Sequence, residues 1–336
     1  MNTQTRFWTA LLAASALTAC SAPEDTAGTP EETAPAEAAE ATGTNPDTAA
    51  EEPEEAAGLP RVDIYIAPLS WVGDIPSLGP IHNATGRAGY DNQPAFAGDG
   101  AHFYFTSGDD EHTDIWRCNL DCSVIEQITD TPGSGEYSPR PTPSGGALSY
   151  IYQPPGGYGG EVWYDDPDGG NARPASRHGP NGYYAFNADM TRLAVFALGD
   201  TFRLQVFGRF EDTGPVTVAE NIGRALYAAP DHESVYFTLP REDEGYSIHE
   251  TGFDGAGTAR VFDLPGTAED YAVFALADGR DAFFAVDEGV LMMRTRSTPW
   301  HSIADLEAEG LSGMTRLAVS ADRRHIAIVA DDPSGG

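Results

Sequence analysis

The 336-residue chain carries 52 acidic residues against 19 basic ones, for a net charge of −33, and every basic residue is an arginine. A surface of this sign repels nucleic acid and anionic membrane and suits cations, basic proteins or salty surroundings. Solubility alone accounts for the same acidity, because the charge is spread over the whole length.

At the amino end, Arg6 precedes an apolar run from Phe7 to Ala19, too short for a stable bilayer span but right for the core of an export signal over 1–19. The run ends in Leu17-Thr18-Ala19-Cys20, which resembles the lipobox of bacterial lipoproteins. That resemblance implies a diacylglyceryl group on the Cys20 thiol and cleavage before it; the other reading is a general signal peptide cut after Ala19. Ser21 in place of an aspartate implies sorting to the outer membrane, facing the periplasm. Residues 20–58 then turn to Ala, Glu, Pro, Thr, Gly and Asp, with eleven carboxylates, five prolines and no aromatic residue. Nothing there offsets the entropy of ordering, so a disordered tether is expected, with a reach of roughly 35 Å.

From residue 59 onward the chain repeats. Pro94 to Ser107 reads as a strand, a turn at Asp99-Gly100 and a second strand in which Phe103 and Phe105 alternate with polar neighbours. Counterparts of Asp99 stand at Ser144, Asp189, Asp231, Asp278 and Asp322, at spacings of 45, 45, 42, 47 and 44. Four residues past each marker stand Phe103, Leu148, Leu193, Val235, Ala282 and Ile326; six past it stand Phe105, Tyr150, Val195, Phe237, Phe284 and Ile328. Each copy therefore presents one apolar face at period two. A repeat of this length, carrying several strands, predicts an all-β propeller of six four-stranded blades.

Third strands follow at Asp114-Ile-Trp-Arg117, Glu161-Val-Trp-Tyr164, Arg203 to Phe207, Tyr246 to His249 and Gly289 to Met293. The sixth copy has none after Ile326 to Ala330. Arg61 to Leu69 has the missing pattern and Ser77 to His82 can serve as the fourth strand, so the ring is expected to close by N-terminal strands completing the last blade. Ile303 to Glu309 reads as a short helix or as an outer strand with its loop.

The Pro94–Ser107 phrase, the Asp114-Ile-Trp that follows it and Asp166-Pro-Asp-Gly-Gly-Asn-Ala-Arg173 resemble the repeats of TolB-type six-bladed propellers, over about 61–336. Later copies depart from the Asp-Gly turn, with Met190, His232 and Arg323 in the glycine position.

Cys118 and Cys122 flank the turn between third and fourth strands of one blade, and in an exported protein they read as a disulfide; metal binding, with His112, is the other reading. The acidic stretch Asp165 to Asn171 invites Ca2+, but position twelve of such a loop would be Arg177, so a blade turn is expected and no cofactor or metal. Acidic loops at 109–111 and 241–244 should share one rim, as solvated charge or as an attractor of a cation or basic partner. Serine-elbow, Walker and zinc-protease motifs are absent.

Propellers recognise partners with the loops that lead from an outer strand to the next inner strand. Those loops hold Tyr90, Asn92, Glu136, Tyr137, His178, Tyr183, Arg224, Tyr227, Glu269, Asp270 and Tyr271, which are the candidate partner-binding residues; several of the tyrosines could instead pack between blades. The expected function is a monomeric, lipid-anchored module of the bacterial cell envelope that binds a protein or peptide, with no nucleic acid. The alternative is an enzyme of the lactonase or lyase kind with a divalent cation in the central channel.

Overall fold

The computed structural model describes residues 58–109, 112–211 and 213–333; the export signal, Cys20, the tether through residue 57, and Asp110 and Glu111 of the first acidic loop lie outside the described residues. Among the described residues every regular element is a strand. The chain opens with β1 (Val62–Val72), β2 (Ile75–Leu78) and β3 (His82–Asn83). Four antiparallel strands follow as β4 (Tyr90–Phe96), β5 (His102–Gly108), β6 (Thr113–Asn119) and β7 (Ile125–Gln127). The next group is β8 (Gly135–Pro141), β9 (Leu148–Gln153), β10 (Glu161–Asp165) and β11 (Arg173–Pro174). Three further groups are separate four-stranded sheets. They are β12 (Asn181–Phe186) to β15 (Val216–Glu220), β16 (Leu226–Ala228) to β19 (Ala259–Asp263), and β20 (Ala272–Ala275) to β23 (His301–Asp305). The chain ends with β24 (Arg316–Val319) and β25 (His325–Asp331). The 301–305 stretch is thus an outer strand and not a helix.

β1 closes the last group. It runs antiparallel to β25 from Val62 opposite Asp331 to Pro68 opposite His325, while β2 and β3 take its other edge. The expected fourth strand is divided, because Pro80 has no N–H to donate and the ladder is broken between β2 and β3.

The groups pack face to face in a ring. Six apolar clusters lie at the junctions, one joining Ile64 and Val329 to Phe103 and Phe105, the next joining Tyr104 and Ile115 to Leu148 and Tyr150, and so on round to Phe284 with Ile328. All twelve repeat positions expected to be apolar are at most 2 % exposed. The other face is buried too: Tyr104 and Tyr236 pack onto the following group, whereas in the fifth group, whose turn is one residue shorter, Phe283 packs back onto the fourth and Ala282 and Phe284 face the last. Alternation in the sequence showed one face of each sheet because a sandwiched sheet tolerates buried tyrosine, serine and alanine on the second.

The repeat marker has a mechanical reason. The carboxylates of Asp99, Asp189, Asp231, Asp278 and Asp322 each accept the backbone N–H two residues on, at 2.8–3.1 Å. The intervening residue turns left-handed, at φ +68° for Gly100 and +84° for Gly279, and Met190, His232 and Arg323 adopt the same turn at 58°, 58° and 60°.

Candidate functional site

Connections between second and third strands, and those from one group to the next, emerge on one face. Between the last three groups they enclose a pocket of about 650 Å³. Seven carboxylates line it, from Asp243, Glu244, Glu269, Asp270, Asp287, Glu288 and Glu307, against three arginines, Arg224, Arg241 and Arg316. The arginines are engaged within the protein. Arg241 Nε donates to Asp243 at 2.9 Å, and its other nitrogens donate to the Leu264 and Gly266 carbonyls. Arg224 lies 3.5 Å from Glu269 and donates to the Thr315 carbonyl. Glu244, Asp287, Glu288 and Glu307 form no ion pair with an arginine among the described residues. The lip therefore carries uncompensated negative charge, and Glu288 holds it on a left-handed residue, φ 46°, ahead of Gly289 at 78°. Both φ values are those of the two-residue hairpin turn between Asp287 and Val290, which projects the Glu288 side chain from its tip. Burial, reinforced by the Glu269 charge, pushes the Tyr246 phenol on the same wall up to about 12.

Below the mouth the inner strands form a narrower channel of about 240 Å³. Arg316 lines both spaces. Its guanidinium donates to Tyr183 Oη at 2.6 Å and lies 3.7 Å from Asp270, which also accepts the Tyr227 hydroxyl at 2.9 Å. Burial would push the Arg316 cation down, but the Tyr183 hydroxyl and the Asp270 carboxylate hold it above the ordinary guanidinium range. The same Asp270 adds to burial in raising Tyr227.

No protein-family model matches the chain. A TolB protein from Agrobacterium tumefaciens superposes on 80 % of the chain and 98 % of its own length at a TM-score of 0.59 and 15 % identity. The fold is that of a TolB-like β-propeller. A TolB from Acinetobacter baumannii aligns with 60 % of this chain and 52 % of its own at 17 % identity and a TM-score of 0.46, too low to carry an argument. In sequence, an uncharacterized protein of Agrobacterium fabrum is 33 % identical over 89 residues, 25 % of this chain. The match spans 30 % of that relative's length.

Within the TolB-like propeller the expected rim residues separate by depth. Arg224, Glu269 and Asp270 line the mouth and Tyr227 lines the channel. Tyr90, Tyr183 and Tyr271 are buried in the junction clusters, and Asn92 and Glu136 are buried as well. Tyr137 is half-buried against the junction between the second and third groups, and the exposed His178 sets its ring edge-on to Phe207 at 4.8 Å. The 241–244 loop reaches the mouth. Arg316, Asp287, Glu288 and Glu307 were not among the expected residues. Arg316 had a signal, since it stands before Asp322 where Tyr183 stands before Asp189, but the sixth copy lacks its third strand in sequence order.

Strand order puts the third-to-fourth turns on the opposite face. There Cys118 and Cys122 are joined, with Cα atoms 4.9 Å apart. Asp165 Oδ1 accepts the N–H groups of Asp166 and Asn171, both at 2.7 Å, and Asp168 pairs with Arg117 at 2.7 Å. Those carboxylates are occupied in building the turn. Among the described residues no group of three or more His, Cys, Asp or Glu is arranged to hold a metal ion.

Proposed function

We propose that the chain is an exported lipoprotein, anchored through an acylated Cys20 on the acidic tether, whose TolB-like propeller binds a protein or peptide segment of the cell envelope at its acidic mouth. The observation that carries this reading is the lip itself: four carboxylates without an arginine partner around a space of about 650 Å³, in a chain with no lysine. Charge of this layout steers a basic segment inward and sets its register more than it adds raw affinity. Export and anchoring rest on the apolar run to Ala19 and the Leu17–Cys20 motif. The channel-cation enzyme gains no support, because the charged side chains in the channel wall include two guanidinium groups, Arg140 and Arg316, and no carboxylate.

The test is crosslinking and affinity capture from cells, comparing the native chain with Cys20→Ala and with the paired charge reversal Glu288→Lys, Glu307→Lys. An envelope partner recovered by the native form, weakened by added salt and lost on charge reversal, is the expected result. Equal recovery after charge reversal would move the partner off the mouth, and recovery of nothing by any form would remove the binding-module reading.

A further inference from the structure

The channel beneath the mouth has the opposite polarity to the rest of the molecule. Its wall holds Arg140, Arg316 and His232 and no carboxylate, in a chain of net charge −33. Arg140 is half-buried and has no ion-pair partner among the described residues; it donates instead to the carbonyls of Tyr184 at 2.8 Å and Leu226 at 3.1 Å. Its guanidinium stacks on the rings of Tyr184 and Tyr227, at 5.6 and 5.0 Å, which fixes its plane in the channel. Ser138 Oγ in the same wall is buried with no hydrogen-bond partner, and so is Arg316 Nε, whose guanidinium lies 3.7 Å from an equally unpartnered Asp270 Oδ2. Such orphans are rare in folded proteins and ask for an acceptor.

The backbone holds Ser138 in place. Ser138 and Gln93 sit at matching bulges of the first two inner strands, both left-handed, at φ 55° and 58°. Gln93 Oε1 accepts the Ser138 N–H at 2.6 Å, and the Ser138 carbonyl accepts the Tyr184 hydroxyl at 3.1 Å. Both backbone groups of Ser138 are thus satisfied and only its hydroxyl is left over. The rest of the wall is apolar, including Pro94, Ala228, Val273 and Leu317.

We infer that this channel is a binding site for a small organic carboxylate, with the anionic group on Arg140 and the Ser138 and Arg316 donors and the carbon skeleton on the apolar wall. Guanidinium groups meet carboxylates with two parallel hydrogen bonds, and a hydroxyl donor adds a third. The apolar wall favours a carbon body over a bare oxyanion, whose other oxygens would find no donors there. Because Arg316 faces both spaces, a carboxylate in the channel would also compete with Asp270 for it.

The site is tested on the full chain by calorimetry and thermal melting with succinate and citrate, using phosphate and chloride at matched ionic strength as the other arms. Saturable carboxylate binding at millimolar concentration and a rising midpoint are expected. Arg140→Gln should weaken binding by about tenfold or more, Ser138→Ala by several-fold. Should Arg140→Gln not fold, Ser138→Ala carries the comparison alone. Glu288→Lys leaves the carboxylate site intact, so the channel stands or falls separately from the mouth. Absence of saturable carboxylate binding to the native chain overturns the inference, as does binding of phosphate alone, or unchanged affinity in folded Arg140→Gln or Ser138→Ala.

Discussion

Glu136→Gln is expected to stabilise the protein at mildly alkaline pH and to leave it nearly unchanged in acid. Glu136 has no exposed surface, and its carboxyl group accepts hydroxyl hydrogen bonds from Thr131, from Ser134 at 3.0 Å and from Thr129 at 3.3 Å. The second nearby carboxylate, Asp114, is 3 % exposed and shares the Thr129 hydroxyl at 3.4 Å. Burial pushes Glu136 up to about 7 from 4.5; the hydroxyl donors oppose that shift and Asp114 adds to it. A carboxyl raised on folding binds its proton more tightly in the native state. Its contribution is therefore full below about 4.5 and is lost as pH rises through about 7. At about 1.4 kcal/mol per pH unit, the loss amounts to roughly 3 kcal/mol by pH 8. Glutamine cannot ionise, keeps an acceptor for Thr131 and Ser134, and can donate to Asp114. Urea unfolding of both forms across pH 5 to 8 measures the effect, and the difference between them cancels the general self-repulsion of an acidic chain. A pH-independent difference, or a variant less stable at pH 8 than the parent, would show that the buried pair does not hold a proton.

Ring closure is tested by Ile64→Ala, a fully buried side chain on β1 at the junction of the last and first groups. It should cost about 2–5 kcal/mol, while Val72→Ala at the 81 %-exposed hairpin end should stay within about 0.5 kcal/mol. Equal thermal shifts for the two would mean that β1 does not close the ring. At the repeat turn, Gly279 has φ +84° with nothing within 4 Å of a built Cβ. Gly279→Ala therefore isolates the backbone cost, expected at about 1–2 kcal/mol; an unchanged urea midpoint would show that the left-handed turn is not required.

The ring was legible because its cause is periodic. An aspartate that ties its own turn recurs in five of the six copies, with Ser144 in the other, apolar side chains follow at fixed steps in all six, and one missing strand at the carboxyl end matched one spare strand at the other. Met190, His232 and Arg323 blurred the pattern only in letters, since each adopts the turn that glycine makes easy. Depth in the loops was not legible. Tyr271 and Asp270 are neighbours in sequence, yet the phenol enters the core and the carboxylate faces the mouth. Adjacent side chains on an extended segment point to opposite sides, and only the neighbouring group decides which side is wet. The channel arginines were missed for a related reason: Arg140 comes from the second copy and Arg316 from the last, and only closure brings them into one wall.

Three successive junctions show how one register position can serve different ends. Asp91 lies opposite Ser107, Glu136 opposite Tyr152 and Asn181 opposite Ala197, each at the start of an inner strand and each buried. Asp91 is neutralised by Arg87, two of whose nitrogens donate to it at 3.0 and 2.7 Å. Asn181 carries no charge and donates to the His178 carbonyl at 2.5 Å. Glu136 has neither solution, since the residue four before it is Pro132 where Arg87 stands four before Asp91. A buried carboxyl without a cation either takes a proton or costs several kcal/mol. The junction beside Glu136 is also the least filled of the three, with four buried apolar side chains, Tyr104, Ile115, Leu148 and Tyr150, against ten and eight at the other two. Glu136 stands on β8, the strand that also carries Ser138 and Arg140 into the channel, and the proton it takes lets that inner strand keep a buried carboxyl without a cation.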